Sequence, residues 1–185
     1  MACTLVTPRL TLRPWRDDDL DALAAIVADP LVMRHFPAPL DRDGAEALVA
    51  RMAAHDAEHG FAWWIVDAPG QPCAGFILLL QVGFAAPFAP AVEIGWRFAS
   101  AAWGRGWATE AATAVLDHAF HTIGLAEVVA FTVPENERSR ALMERLGMQR
   151  DPGADFEHPR LPVGHPLRPH VLYRLRRAGA PTASR

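Results

Sequence analysis

Two glycines separated by a single residue stand at the start of an alanine-rich segment in the middle of the chain. Gly104 and Gly106 belong to "WGRGWATEA", and the segment "AVEIGWRF" just before it is typical of a β-strand. A strand, a tight glycine turn and the start of a helix together aim backbone N–H groups at one point, where the helix dipole also favours negative charge. The pattern predicts a phosphate-binding loop, with the amides of residues 105–109 directed at the phosphates.

Two common phosphate-binding loops do not fit this segment. A Walker A loop has a Lys after its last glycine, but all eighteen basic residues of the chain are Arg. A dinucleotide-binding fingerprint, G-x-G-x-x-G/A, needs a third Gly or Ala where Thr109 stands, and it normally lies in the first βαβ unit. The remaining alternatives are a pyrophosphate loop that begins a helix in mid-sheet and a tight turn without a ligand. We favour the pyrophosphate loop because a second segment agrees with it.

That second segment is "NERSRALMERLGM". Together with "WGRGWATEA" it resembles the two signature motifs of the GNAT family, acyltransferases that use acetyl-coenzyme A (acetyl-CoA). In the first motif, Q/R-x-x-G-x-G/A, Gly106 and Ala108 match, whereas Trp103 replaces the usual Gln or Arg. Four positions match the second motif, N-x-x-S-x-x-L-x-x-x-x-G-F/M: Asn136, Ser139, Leu142 and Gly147. The Trp, the opening "TPRLTLRPWRDDDLDAL" and "WWIVDAPGQPCAGFI" are similar to the branch that acetylates the N-termini of ribosomal proteins. The resemblance therefore covers the chain to about Arg177.

The order of the predicted elements indicates an α+β, three-layer domain. We expect a mixed, mostly antiparallel sheet of six to seven strands flanked by about four helices, with one further strand between Met148 and Phe156. Pro30 is expected to end the first helix, and "LVMRHFPAPL" to form a loop or a broken helical turn. The length favours one domain, residues 1–177, followed by a disordered tail, 178–185. The resemblance adds that the strands "VEIGWRF" and "VVAFTV" splay apart.

The resemblance also implies where the coenzyme lies. The pantetheine arm is expected between the splayed strands, against the backbone of residues 96–98, and the pyrophosphate on the glycine turn and the helix that follows it. The residues expected to bind acetyl-CoA are Trp96, Arg97, Phe98, Trp103, Gly104, Arg105, Gly106, Trp107, Ala108, Thr109, Asn136, Ser139 and Arg140.

Acetyl transfer to an amine needs a group that takes the proton of the amine and a donor for the leaving thiolate. Glu93 is the candidate base, because partial desolvation in an otherwise apolar strand raises the pKa of a carboxyl group. The alternative is an edge carboxylate that faces water or binds an Arg such as Arg97. Ser139 is the candidate donor, since Met143 stands where the family often has Tyr; alternatively, Ser139 only caps or pads its helix. For Asn136 the resemblance implies hydrogen bonds to pantetheine, and its position also suits a helix N-cap.

The acceptor side of the site is less well marked. Trp63 or Trp64 is expected to line the acceptor pocket, since successive strand residues face opposite ways. The Pro- and His-rich segment near the end of the chain is expected to fold over the entrance, with His158 or His165 near the substrate. Glu110, in the first turn of the phosphate helix, is assigned to the helix dipole. No metal site is expected, because the histidines are irregularly spaced and lack a carboxylate or Cys pattern.

Composition excludes several other classes of protein. The formal net charge of −3 gives no basic footprint for nucleic acid, and two isolated cysteines give neither a disulfide framework nor a metal-site spacing. The chain start lacks a signal-peptide pattern, and no apolar run is long enough to span a membrane. The expected location is the cytoplasm, as a monomer or a homodimer.

The leading hypothesis is an acetyl-CoA-dependent N-acetyltransferase, with no metal and with direct attack by a primary amine in a ternary complex. The acceptor is either a protein N-terminus, as in the branch it resembles, or a small amine such as an amino acid, a polyamine or an aminoglycoside. A non-catalytic acyl-CoA sensor is the alternative, because Met143 cannot donate a proton. A nucleotide-binding oxidoreductase is a third class, which the missing third glycine disfavours.

Overall fold

The computed structural model describes residues 3–179, so the last six residues of the predicted tail lie outside the described part. The strands are β1 (Leu5–Val6), β2 (Thr11–Arg13), β3 (Trp63–Ala68), β4 (Gln71–Gln81), β5 (Val92–Phe98), β6 (Glu127–Thr132), β7 (Gln149–Arg150), β8 (Phe156–Glu157) and β9 (Pro169–Arg176). The α-helices are α1 (Leu20–Ala28), α2 (Pro30–Met33), α3 (Arg42–His59), α4 (Trp107–His118) and α5 (Glu137–Arg145).

One nine-stranded sheet forms the middle layer, in the order β1-β2-β3-β4-β5-β6-β9-β7, with β8 paired to β9 off this path. All neighbouring strands are antiparallel except β5 and β6. The predicted α+β fold with a mixed, mostly antiparallel sheet is confirmed. The number of strands exceeds the predicted six to seven because β1 and β8 have two residues each, too few for any period to show in the sequence. The further strand expected between Met148 and Phe156 is β7, which is also two residues long.

The predicted splay lies between the two parallel strands. β5 and β6 are joined by a single residue pair, Glu93 with Val129. On its other side β5 pairs with β4 along its whole length, from Val92 to Phe98. Beyond Glu93, the edge of β5 that faces β6 is therefore free of strand pairing, and the sheet opens into a wedge there.

Helices cover the two faces of the sheet unequally. On one face, α4 buries an apolar stripe, including Ala111, Ala112 and Val115, in the largest core cluster. On the other face, α1, α2 and α3 pack over β3 and β4, with Leu23, Met33, Leu48 and Met52 in the second cluster. A third, smaller cluster covers this second face near β6 and β9, built on Phe88, Val129, Ala154 and Leu172.

Local signals set most helix ends. Asp41 precedes α3 and its carboxylate accepts a hydrogen bond from the amide of Gly44 at 2.8 Å, while Gly60 ends the helix at φ +78°. Pro30 follows the end of α1, as predicted, and also begins the next helix. The chain breaks at Asp29, whose carboxylate accepts from the amide of Leu31, and Pro30 begins α2. Proline is favourable at a first helical position because its missing N–H would have no partner there.

A buried ion-pair network fastens the first strands to the segment before α1. Arg13 on β2 donates two hydrogen bonds of 2.7 Å to Asp19 and one of 2.6 Å to Asp67 on β3. The Arg13 and Asp19 residues are 6% and 5% exposed. These hydrogen bonds hold the pKa of Arg13 above its usual range, despite the opposing effect of burial.

Candidate functional site

The glycine turn presents a row of unpaired amides. Gly104 and Gly106 both adopt φ +75°, a left-handed conformation that favours glycine, and α4 begins directly after them. No side chain caps this helix end. Within residues 3–179, the amides of residues 104–109 donate no hydrogen bond to other parts of the chain. The loop therefore has the unpaired donors and the positive helix end that bind phosphate groups.

Residues far away in the sequence fix this loop in place. Arg9 donates to the carbonyl of Arg105 at 2.9 Å and to the carboxylate of Glu110 at 2.6 Å. Glu110 also accepts from the hydroxyl of Thr7 at 2.6 Å. Hydrogen bonds from Thr7 and Arg9 lower the pKa of Glu110 although burial opposes the shift. Beyond the predicted role at the helix dipole, Glu110 therefore anchors the β1–β2 turn to α4. Sequence reasoning missed Thr7 and Arg9 because no local pattern connects them to the loop.

The aromatic side chains of the loop are held by intramolecular contacts. The indole N–H of Trp103 donates to the carbonyl of Phe98 at 3.0 Å, and the guanidinium of Arg138 lies 4.6 Å from the Trp103 ring centroid. The guanidinium of Arg105 lies 4.9 Å from the ring of Trp107. These contacts stabilise the path of the chain from β5 into α4. A direct contact of Arg105 with phosphate remains a prediction.

The last residues of β5 border the wedge. Phe98 is buried and Trp96 packs partly buried against the α4-side core, whereas Arg97 points to the opposite face of the sheet. The backbone of residues 96–98 is therefore the part of this stretch that faces the wedge. The resemblance implies that the pantetheine arm lies against this backbone, and the single β5–β6 residue pair leaves that edge free of strand pairing.

The second motif forms the start of α5, on the other side of the wedge. The side-chain oxygen of Asn136 accepts from the amide of Ser139 at 3.3 Å, and its amide nitrogen donates to the hydroxyl of Thr132 at 2.9 Å. The predicted N-cap is confirmed. Ser139 is partly buried, and its hydroxyl makes no hydrogen bond to any residue that the structure describes. Met143 is 1% exposed and belongs to the core.

Arg140, the remaining coenzyme candidate, is engaged within the protein. Its guanidinium donates to the carbonyl of Pro134 at 3.0 Å and to the hydroxyl of Tyr173 at 3.4 Å. The Tyr173 hydroxyl in turn donates to Glu144 at 3.1 Å. These bonds tie α5 to β9, and a coenzyme contact of Arg140 stays a prediction.

Glu93 lies at the point where β5 and β6 part. It forms the single β5–β6 residue pair, and its side chain is on the sheet face covered by α1–α3 and the aromatic cluster. Burial raises the pKa of its carboxyl to about 7, while Arg160 and Arg51 oppose the shift. No residue in the described range lies within hydrogen-bond or ion-pair distance of this carboxylate. The expected partial desolvation is thus present, and the alternative ion pair with Arg97 is absent.

Arg97 lies four residues further along β5, on the same face. Its guanidinium stacks over the ring of Phe36 at 3.9 Å from the centroid, and its Nη1 is buried without a hydrogen-bond partner among the described residues. Burial, reinforced by the charge of Arg51, lowers the pKa of Arg97 to about 10. The expected coenzyme contact at residue 97 can involve its backbone only, because the side chain faces away from the α4 side.

The two tryptophans predicted to line the acceptor pocket are core residues. Trp64 is fully buried toward α4, and its indole N–H donates to the carbonyl of Cys3 at 2.8 Å. Trp63 is 6% exposed on the α1–α3 side, where it stacks on Trp15 at a centroid distance of 5.3 Å and contacts Phe76 edge-on. Trp64 therefore faces away from Glu93, and Trp63 is covered by other rings; that one of the two borders the acceptor pocket stays a prediction.

His158 belongs to an aromatic cluster beside β5 and β6. The rings of Phe84, Phe88, Phe131, Phe156, His158 and His170 have neighbouring centroids 4.8–6.4 Å apart. Burial, together with the charges of His170 and Arg160, lowers the pKa of His158 to about 4. A neutral His158 therefore packs as a ring. His165 lies outside this cluster, and its Nδ1 accepts from the amide of Leu167 at 3.1 Å.

The described residues contain neither a cluster of metal ligands nor a membrane-spanning helix. Between residues 3 and 179, no three His, Cys, Asp or Glu side chains come together as metal ligands would. In the same range, no helix combines the length and the apolar character needed to cross a membrane.

Comparison with known proteins agrees with this geometry. Residues 9–149 match the family model described as "Acetyltransferase (GNAT) domain". The chain is 30% identical over 151 residues to the FsC-acetyl coenzyme A-N(2)-transacetylase of Aspergillus fumigatus, covering 78% of this chain and 64% of that protein. Its sequence is also 30% identical to that of an acetyltransferase from Agrobacterium tumefaciens with a known crystal structure. The two structures superpose with a TM-score of 0.76, and the alignment covers 96% of each chain.

A third comparison concerns the fold alone. RimJ of Mycobacterium smegmatis, solved in complex with CoA-disulfide, is 24% identical, with a TM-score of 0.68 over 90% of this chain and 81% of that one. The splayed sheet, the unpaired amides at the start of α4 and the capped α5 thus occur in a chain that matches an acetyltransferase family model over most of its length. The protein belongs to the GNAT acetyltransferase family and is an acetyl-CoA-dependent acyltransferase.

Proposed function

We propose that this acyltransferase is an N-acetyltransferase, which moves the acetyl group of acetyl-CoA to a primary amine by direct attack in a ternary complex. The observation that carries the proposal is the Glu93 carboxylate. It is partly buried, lacks a hydrogen-bonding partner in residues 3–179, has a pKa raised to about 7 and lies where the sheet opens. A carboxylate with these properties can accept a proton near neutral pH.

Three groups of residues around the wedge bind the coenzyme. The unpaired amides of residues 104–109 hold the pyrophosphate at the start of α4. The free edge of residues 96–98 hydrogen-bonds the pantetheine arm, and Asn136 supports it from the start of α5. The coenzyme thus lies between β5 and β6, with its acetyl group directed at the face that carries Glu93.

The transfer itself needs two proton movements. Glu93 takes a proton from the amine, directly or through a water molecule, and the nitrogen lone pair attacks the thioester carbonyl carbon. The carbon–sulfur bond of the tetrahedral adduct then breaks, its electron pair leaves with sulfur, and the excess proton that the attacking nitrogen still carries passes to that sulfur, so that an amide and a thiol result. The hydroxyl of Ser139, which has no hydrogen-bond partner within the described residues, donates to the departing thiolate.

A thiol-release assay with acetyl-CoA and a library of primary amines, including peptide N-termini, tests this function. Time-dependent thiol release with at least one amine, and detection of its N-acetyl product by mass spectrometry, is the expected result. Calorimetry with coenzyme A runs in parallel. Tight binding of coenzyme A without turnover of any amine would instead identify an acyl-CoA sensor, in keeping with the buried Met143.

A further inference from the structure

Three successive residues of one face of β5 form a strip between two packed regions. Glu93, Gly95 and Arg97, called here the β5 strip, pair with Leu80, Leu78 and Phe76 of β4. The α1–α3 layer covers the β4 side, and the aromatic cluster covers the β6 side. A Cβ atom placed on Gly95 would meet only the Leu78 side chain, at 3.6 and 3.9 Å. There is thus space above Gly95, flanked by a carboxylate and a guanidinium.

The positive charges around this strip outnumber the negative one. Arg51 approaches from α3 and Arg160 from the segment before β9, and both act electrostatically on Glu93. Arg97 forms the far end of the strip. Glu93 is the one carboxylate of the strip itself. The surroundings are therefore cationic, although the whole chain has a net charge of −3.

Arg97 stands out among these arginines because its charge is buried and incompletely bonded. Its Nη1 atom has no hydrogen-bond partner in the part of the chain that the structure describes, and its guanidinium is held by the ring of Phe36. Leaving a buried charged donor without a partner is costly. A bound anion would offset that cost, and a guanidinium matches the planar carboxylate particularly well.

We propose that the acceptor is an amine that also carries a carboxylate, such as an amino acid, and that Arg97 binds that carboxylate. This inference rests on the proposed N-acetyltransferase function. With its carboxylate on Arg97, the acceptor extends over Gly95 and its amine faces Glu93. Alternate residues on one face of a strand are about 7 Å apart, so the Cα atoms of Glu93 and Arg97, two such steps apart, are separated by about 14 Å. Their long side chains, directed along the strand toward each other, cover most of that distance, and the acceptor spans the remainder.

The same charges disfavour other acceptors. Polyamines and aminoglycosides carry several positive charges, which three arginines around the strip would repel. The N-terminus of a long protein places no carboxylate at a fixed short distance from its amine. Small zwitterionic amines satisfy both ends of the strip.

The experiment measures kcat/KM for matched pairs of acceptors with acetyl-CoA. Each of the twenty amino acids is compared with its carboxamide, and ω-amino acids of increasing length are compared with alkylamines of the same length. A hydrogen bond to a charged group is worth roughly 10- to 100-fold in affinity. We expect the wild-type enzyme to prefer the carboxylate member of a pair by about this factor, and Arg97→Gln to bring the ratio close to one.

Two control variants test whether the preference for carboxylate acceptors depends on the guanidinium of Arg97. Arg97→Lys keeps the charge without the planar fork and should retain part of the preference. Arg145→Gln removes an exposed arginine at the end of α5, in the helical layer on the opposite face of the sheet, and should leave the ratio unchanged. Equal kcat/KM for acids and amides in the wild-type enzyme, or an unchanged ratio in Arg97→Gln, would overturn the inference while leaving N-acetyltransfer intact.

A binding measurement decides the question even without turnover. Calorimetry with coenzyme A present follows the binding of an amino acid and of its carboxamide to the wild-type protein and to Arg97→Gln. Binding of the amino acid that is lost in the variant supports the inference whether or not acetyl transfer occurs. Absence of amino acid binding to the wild-type protein, with coenzyme A bound, contradicts it.

Discussion

Arg13 and Arg97 lie at the two ends of one row of side chains that crosses β2, β3, β4 and β5. Between them in the row stand Ile65 and Phe76, both fully buried. At the β2 end, Arg13 is bonded to two carboxylates, Asp19 and Asp67. At the β5 end, Arg97 keeps an unpaired buried nitrogen, and the carboxylate on the same face, Glu93, makes no ion pair within residues 3–179.

The difference between these two ends separates a structural use of buried charge from a binding use. Buried charges in folded proteins are normally paired, because desolvation is otherwise uncompensated. Arg13 follows this rule and fastens β2, β3 and the segment before α1. Glu93 and Arg97 break it at the edge of the wedge. Perturbed and unpaired titratable groups in such a place are characteristic of sites whose partners are ligands.

The largest expected effect is at Glu93. Glu93→Gln keeps the shape and loses the basicity, so kcat at neutral pH should fall by about 10²–10⁴-fold. The acidic limb of the wild-type kcat–pH profile, expected near pH 7 from the raised pKa of Glu93, should vanish or move. The deficit should shrink toward the pKa of the acceptor amine, because the amine then arrives deprotonated.

The pH dependence of protein stability gives an independent check on Glu93. Ionisation of Glu93 raises kcat as the pH rises, but it lowers the stability of the folded state. Because the pKa of Glu93 is raised from 4.5 to about 7, the folded state holds the proton more tightly than the unfolded state. Stability should therefore decline between those pH values in the wild-type protein and decline less in Glu93→Gln. For activity, the contradicting result is a Glu93→Gln enzyme that has the wild-type kcat and an unmoved acidic limb in its kcat–pH profile. Proton removal would then have to be assigned to another group.

The second effect, at Arg13, is on folding. Arg13→Met leaves the buried Asp19 carboxylate without its partner, which should cost about 3–5 kcal/mol of unfolding free energy in urea denaturation. Arg42→Met is the matched control, because Arg42 pairs with Asp21 at 2.7 Å but its side chain is 57% exposed. We expect that control to leave the unfolding free energy nearly unchanged, because an exposed ion pair contributes little to stability. If Arg13→Met were as mild as Arg42→Met, the contrast between the two ends of the row would not hold.

The parts of the site that the sequence could predict are those set by neighbours in the chain. Gly104 and Gly106 signal the loop, and Asn136 signals the start of α5, because turn and cap preferences act over a few residues. The hairpin between β3 and β4 was likewise marked by "APGQ". The predicted raised pKa of Glu93 followed from its apolar strand, which the fold buries as expected.

The parts that escaped prediction depend on long-range packing. Thr7 and Arg9 meet Glu110 across about a hundred residues, and no local pattern links them. Phe36, in the segment that follows α2, meets Arg97 of β5 only in the folded chain, across about sixty residues. The face of the sheet on which Trp63 or Trp64 lies depends on the strand register. Alternation of residues shows that the two side chains face opposite ways, but not which of them lies on which face.

The third prediction extends the comparison to backbone groups, since the amides of residues 104–109 are also unpaired. Gly106→Val introduces a branched side chain at φ +75°, where it displaces the loop from the phosphates. Loss of even one charge-assisted hydrogen bond should weaken acetyl-CoA binding roughly 10- to 100-fold in calorimetry. Gly124→Val, at φ +85° beyond the end of α4, carries similar backbone strain and should bind acetyl-CoA normally. Equal affinity in both variants would exclude this loop as the phosphate site.

The smallest expected effect is at Ser139, and it contrasts a free hydroxyl with a bonded one. The Ser139 hydroxyl has no partner within residues 3–179, whereas the hydroxyl of Ser100 donates to Asp29 at 2.7 Å. If Ser139 assists the leaving thiolate, Ser139→Ala should lower kcat about 10-fold and weaken coenzyme binding less, because the bond strengthens as charge develops on sulfur. Ser100→Ala should lower stability by about 1 kcal/mol and leave kcat unchanged. An equal loss of kcat and coenzyme affinity in Ser139→Ala would make Ser139 a binding contact, and no loss of either would return it to a packing role on α5.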